Sequence, residues 1–145
     1  MKILIQNRKA GFEYEILEEL VAGVVLMGTE VKSLKNGKAS LSEAYCRIIN
    51  DEVFIKEMHI SEYKLIKHTN HEPLRERKLL LKKGEILKLH KKIKERGLTI
   101  IPLNVHLTDT GYIKIKIALA KGKKVYNKKE TIRLRDLDRD LKRNT

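Results

Sequence analysis

The sequence has a single cysteine, no tryptophan, and only two phenylalanines and five tyrosines in 145 residues. Cys46 alone can neither close an intrachain disulfide nor build a zinc site, which points to a reducing, cytoplasmic setting. With no tryptophan and aromatics at 5%, an extended platform for stacking single-stranded bases is disfavoured. Long apolar runs are missing too. Ile3-Leu4-Ile5 gives way at once to Asn7-Arg8-Lys9, which fits neither a signal peptide nor a membrane span.

Catalytic signatures are equally scarce. There is no phosphate-binding Gly-x-x-x-x-Gly-Lys-Ser/Thr loop, Gly-x-Ser-x-Gly elbow or His-Glu-x-x-His helix, and Gly122-Lys123-Lys124 lacks the spacing and hydroxyl of a phosphate loop. Asp109-Thr110-Gly111 matches the aspartic-protease triplet, but those aspartates need a buried, apolar flank, and this one reads as a polar hairpin turn. His68, His71 and Glu72 have helix-like metal spacing, yet Pro73 breaks the helix and no third ligand is near. His59, His90 and His106 fall in strands or a helix and read as structural. The chain is therefore expected to be neither an enzyme nor the holder of a metal or cofactor.

Positive charge is what the chain has in excess: 32 Lys and Arg against 19 Asp and Glu, net +13. The excess is concentrated. Arg75 to Arg96 carries 10 basic and 3 acidic residues, Lys121 to Thr145 carries 10 and 4, and the remainder is neutral. One block inside a domain and one at its end suit a protein that grips a polyanion with a face and a tail. Neither block has the broad apolar face of a membrane-surface helix, so no membrane partner is expected.

Ile113, Ile115, Ile117 and Leu119 alternate with Lys114, Lys116 and Ala118, predicting a strand with one face in a core and a basic face in water. Ile101 to Leu107 alternates likewise, and Thr108 to Gly111 supplies the turn between them. A second hairpin is expected from Tyr45–Ile49 and Val53–Ile60 around Asn50-Asp51, and two more strands over Phe12–Leu17 and Val21–Met27. Six strands with tight turns predict an antiparallel sheet closed as a small barrel. Thr29 is expected to cap a short helix through Leu34, stopped at Asn36-Gly37. A longer helix runs from Lys83 to Arg96, with Ile86, Leu89, His90 and Ile93 on one stripe, Lys88, Lys91, Lys92 and Arg96 pointing outward, and Gly97 as its stop. Arg75, Arg77 and Lys78 add to this basic face.

Beyond residue 120 the apolar pattern thins. Residues 1–120 are read as an RNA-binding domain and residues 121–145 as a basic tail, disordered when free, whose Ile132, Leu134, Leu137 and Leu141 stripe becomes helical on a partner. Folded RNA, recognised by shape and backbone, is the partner that the charge favours. Six neutralised phosphates would give a log–log salt slope of roughly −4 to −5. An alternative is a ribosomal or initiation protein of oligonucleotide-binding type with a permanent ribosomal RNA site.

Six collinear blocks then carry a resemblance: Asn7-Arg8-Lys9-Ala10; Ala22-Gly23; Gly28-Thr29-Glu30-Val31-Lys32-Ser33-Leu34; His59-Ile60; Arg77-Lys78-Leu79-Leu80-Leu81; and Ala118 to Lys124. The chain resembles the small protein B family, the SsrA-binding proteins of bacteria, from about Asn7 to Lys129. That resemblance implies a six-stranded antiparallel barrel of oligonucleotide-binding type with three helices. It implies a monomer in a 1:1 complex with the tRNA-like domain of transfer-messenger RNA, delivered to the A site of ribosomes stalled without a stop codon. Ribosomal contacts are implied at the decoding centre and mRNA channel, which the tail would enter. Carried over by residue, RNA contact falls to Asn7, Arg8, Lys9, Glu30, Lys32, Ser33, Leu80, Lys121, Lys123 and Lys124, and ribosome contact to Tyr126, Asn127, Lys128, Lys129 and Arg133. Val21 stands where the family usually has an acidic residue, Lys82 where it has His or Asn, and Asn127-Lys128-Lys129 where Asp-Lys-Arg is common.

Overall fold

The computed structural model describes residues 1–66 and 69–122. Its elements in chain order are β1 (Lys2–Gln6), α1 (Ala10–Glu13), β2 (Tyr14–Val24), α2 (Gly28–Lys35), β3 (Ala39–Ser40), β4 (Tyr45–Ile49), β5 (Glu52–Lys56), β6 (His59–Ile60), β7 (Arg77–Leu80), α3 (Lys83–Arg96), β8 (Thr99–Leu107) and β9 (Ile113–Gly122). All strand pairs are antiparallel, in the order β8-β4-β5-β7-β2-β9, and a further β9–β8 pairing closes six strands into a ring. β1 lies outside it against β8, and β3 with β6 forms a two-stranded sheet.

The expected architecture of six strands and three helices is therefore present, but its membership differs from the sequence reading. The two strands expected over Phe12–Leu17 and Val21–Met27 are one, β2, and Phe12 belongs to α1. Glu18, Glu19 and Leu20, which lie between the two expected strands, are strand as well: a register shift between Ile16 and Glu18 bends β2, Glu18 reaches Lys92 at 2.5 Å and Glu19 reaches Lys116 at 2.9 Å. Val53–Ile60 is not one strand. Glu57 takes φ +58° and separates β5 from β6. The sixth member of the ring is β7, whose four residues are too few to show alternation.

Asn50 (φ +50°) and Asp51 (φ +62°) make the tight β4–β5 turn that the sequence indicated. α3 ends at Gly97, whose φ of +64° is left-handed and whose N–H bonds to the Ile93 carbonyl at 2.9 Å. Thr29 does not cap α2. The cap is Met27, whose N–H donates to Glu30 Oε1 at 2.8 Å, while Thr29 Oγ1 lies 2.9 Å from His71 Nδ1.

One core fills the ring, built from Val53, Ile55, Leu79, Ile100, Val105, Ile115, Ile117 and Leu119, with Leu34 from α2 and Leu89 from α3. His90, placed on the inward stripe of α3 by sequence, is exposed, and Ile86, Leu89 and Ile93 pack that helix on the core. A second, smaller cluster sits outside the ring. Ala10 of α1 covers Ile101, Ala118 and Ala120, so Ala118 is buried although it shares the outer face of β9 with the lysines. The bulge between Pro102 and Asn104 explains how Ile101 can face outward and Val105 inward on one strand.

Candidate nucleic-acid interface

Strand register assembles the outer face residue by residue. Ile3, His106, Lys114, Gly23 and Leu80 pair in sequence across β1, β8, β9, β2 and β7, and Gln6, Asn104, Lys116 and Val21 form the next row. Leu80 and Val21 are about half exposed, and Lys78 lies two residues from Leu80 on the same side of β7. The approach is close: a Cβ on Gly23 would meet Leu80 Cβ at 3.2 Å. The result is a groove of about 690 Å3 lined by Val21, Gly23, Lys78, Leu80, Lys82 and Lys114, among others. Its carboxylates are Asp51, Glu52, which meets Lys78 at 3.3 Å, and Glu85, which accepts from the Lys82 N–H at 2.9 Å. Lys82, Lys83 and Lys114 carry no ion pair among the described residues. Apolar contact surface flanked by lysine ammoniums suits sugar and phosphate more than base edges.

On that face His106 is buried, with Nδ1 2.8 Å from Asn104 Oδ1. Burial, then the charges of Lys116 and Lys114, hold its imidazole below the ordinary pKa.

Asn7, Arg8 and Lys9 form a second groove of about 220 Å3 with Ser40 and Ser42. The Asn7 N–H and Nδ2 donate to Leu103 and Pro102 carbonyls, both at 2.8 Å, while its Oδ1 is buried with no hydrogen-bond partner among the described residues. Arg8 and Lys9 beside it are exposed, Lys9 with its Nζ 3.8 Å from Glu43, and present positive charge along this groove. Lys32 is exposed, its Nζ 5.3 Å from the Tyr63 ring centroid. Lys121 ends β9 opposite Glu15, seven residues and hence roughly 23 Å along the strand from Lys114.

Glu30 and Ser33, expected as RNA contacts, are both buried in the folded chain. Ser33 is buried at the base of a groove beside Tyr63, and its carbonyl accepts from Lys38. Glu30 has no exposed surface; its Oε1 accepts from Arg75 and the Met27 N–H, and its Oε2 from Arg77 Nε. Burial alone would push the Glu30 carboxyl up, but hydrogen bonds from Arg75, Met27 and Arg77 and the charge of Arg77 outweigh it and hold the group below its ordinary value. Arg77 is itself fully buried and also donates to the Met58 and Pro73 carbonyls. Arg75 and Arg77 are thus consumed internally and do not add to the basic face. Charge counting along the chain misses this, because it cannot see which cations have a buried partner.

His71 is buried between Thr29 and the Ile60 carbonyl, which fixes its ring in the core, and His68 lies outside the described residues. Also outside them are Lys123, Lys124, Tyr126, Asn127, Lys128, Lys129 and Arg133. Asp109 sits in an exposed turn, unlike a protease aspartate. Lys78, expected on the basic face with Arg75 and Arg77, is the one of the three that lines the groove, beside Leu80.

A sequence profile described as "SmpB protein" matches residues 4–145. The chain belongs to the SmpB family. Similar SmpB-family relatives include the SsrA-binding protein of Cytophaga hutchinsonii, 53% identical over 96% of this chain and 91% of the relative. Those of Wolbachia pipientis wMel and Fusobacterium nucleatum are 52% and 51% identical, over 99% and 97% of this chain and 96% and 95% of theirs. A solved chain from "tmRNA-SmpB: a journey to the center of the bacterial ribosome" superposes with a TM-score of 0.72 at 40% identity, covering 89% of this chain and 94% of that one. Among the described residues no helix is long and apolar enough to cross a membrane. In this SmpB-family chain Val21 lies on the groove, in register with Lys116.

Proposed function

We propose that this chain binds the tRNA-like domain of transfer-messenger RNA and delivers it to the A site of stalled ribosomes lacking a stop codon, as a non-catalytic adaptor of the cytoplasm. The observation that carries the reading is identity of about half to SsrA-binding proteins along nearly the whole chain. The groove of Val21, Leu80, Lys78 and Lys114 and the smaller groove of Asn7, Arg8 and Lys9 offer the RNA a surface for shape and backbone recognition. Lys121, with Lys123 and Lys124, extends that contact. Tyr126, Asn127, Lys128, Lys129 and Arg133 belong to a tail that enters the empty mRNA channel and becomes helical there.

Truncation after Gly122 tests the division of labour. Affinity for transfer-messenger RNA, read by gel shift, should largely survive the loss of Lys123 and Lys124, while peptide tagging on ribosomes stalled at a broken message is lost. A large loss of RNA affinity in the truncated protein refutes it.

A further inference from the structure

A second pocket, of about 590 Å3, opens where the ring is weakest. β4 and β8 share one register pair, Cys46 with Ile100, because the rest of that β8 edge is taken by β1. Beyond Cys46 the β4 edge faces the C-terminal half of α3 instead of a strand. Tyr45, Arg47, His90 and Lys94 make the exposed rim of this opening, above a floor that includes Ile48 and Leu98.

Three features define its occupant. The lining contains no Asp or Glu, whereas the groove on the outer face has three carboxylates, and neither Arg47 nor Lys94 has an ion pair among the described residues. The rim joins an aromatic ring to a guanidinium, an ammonium and an imidazole over an apolar floor, the set that takes a base on its π-face and a phosphate at its edge. The volume lies in the range of roughly 300–1,000 Å3 used for small ligands and is too confined for a duplex.

We infer that this pocket captures a single unstacked nucleotide of ribosomal RNA. The choice of RNA rests on the function proposed above and on ring order. The β4–β8 seam and the β2–β7 seam stand three strands apart in either direction round the ring, so the pocket opens opposite the Leu80 groove. With transfer-messenger RNA on the groove, the pocket faces the ribosome. α3, whose N-terminal end borders the groove and whose C-terminal half borders the pocket, spans the two.

The test uses full-length protein with Tyr45→Ala, Tyr45→Phe and Arg47→Ala/Lys94→Ala, each measured against purified ribosomes and against transfer-messenger RNA. Tyr45→Ala should weaken ribosome binding about tenfold through lost stacking while Tyr45→Phe retains it. Arg47→Ala/Lys94→Ala should make the log–log salt slope on ribosomes shallower by about 2. Affinity for transfer-messenger RNA should not change. A photo-crosslinker at position 45 should mark a ribosomal RNA nucleotide, a readout that does not depend on variant stability. Unchanged ribosome affinity overturns the inference, as does a crosslink to a ribosomal protein or to transfer-messenger RNA. Failure of the wild-type chain to bind transfer-messenger RNA would instead overturn the proposed function.

Discussion

Replacing Glu30 with Gln removes one charge from a fully buried cluster and leaves the shape almost unchanged. Arg77, equally buried, then keeps its bonds to the Met58 and Pro73 carbonyls but has no counter-charge, since Glu30 is its sole carboxylate partner among the described residues. Removing one member of a buried pair costs about 3–5 kcal/mol, a large part of the roughly 5–15 kcal/mol that holds a domain folded. At about 3–4 °C per kcal/mol for a domain of this size, melting should fall by roughly 10–20 °C. Urea unfolding followed by circular dichroism reads the free energy directly. The double variant Glu30→Leu/Arg77→Met should recover part of the loss, because it removes the two fully buried charges together while Arg75 and the Met27 N–H still lose their acceptor. The acid limb adds a signature. The folded carboxyl lies below its unfolded value, so its stabilisation is present above an unfolded pKa of about 4.3 and is lost as pH falls through the folded one; Glu30→Gln should flatten that limb. RNA affinity, measured where the variant is folded, should be intact. A cost under about 1 kcal/mol, the worth of a surface pair, would refute the buried cluster, and lost RNA affinity without lost stability would restore Glu30 as a direct contact.

Gly97→Ala should cost about 1 kcal/mol in urea unfolding, because φ +64° crowds a Cβ, while RNA binding is unaffected. His106 should titrate in NMR below an ordinary histidine pKa of about 6.5. Its folded pKa is lowered, so the stability it contributes is present above that unfolded value and is lost as pH falls towards the folded one; His106 titrating normally would show that Lys114 and Lys116 do not face it. Lys78→Ala and Lys114→Ala should each lower affinity for transfer-messenger RNA and reduce the log–log salt slope by about 1, with Lys88→Ala on α3 as the neutral comparison.

Local patterns made β8, β9, α3, the Asn50-Asp51 turn and the Gly97 stop legible in the sequence, because alternation, helical period and left-handed turn residues are properties of neighbours in the chain. The division of β2 into two expected strands failed for the opposite reason: the partners of Glu18 and Glu19, Lys92 and Lys116, are far away in the sequence. β7 failed because four residues with a buried arginine at one end offer no recognisable period.

By itself the sequence determined the class of the molecule: a basic chain with one cysteine and no catalytic constellation, strands in short antiparallel turns, and blocks of residues shared with one family. Folding decided which charges are available. Arg77 and Glu30, 47 residues apart, satisfy each other inside the protein, whereas Lys114, Leu80 and Val21 meet on one face only because β9, β2 and β7 are neighbours in the ring. Both outcomes depend on long-range pairing, in which burial costs an unpaired charge dearly and register sets which side chains face water, and no local pattern encodes either.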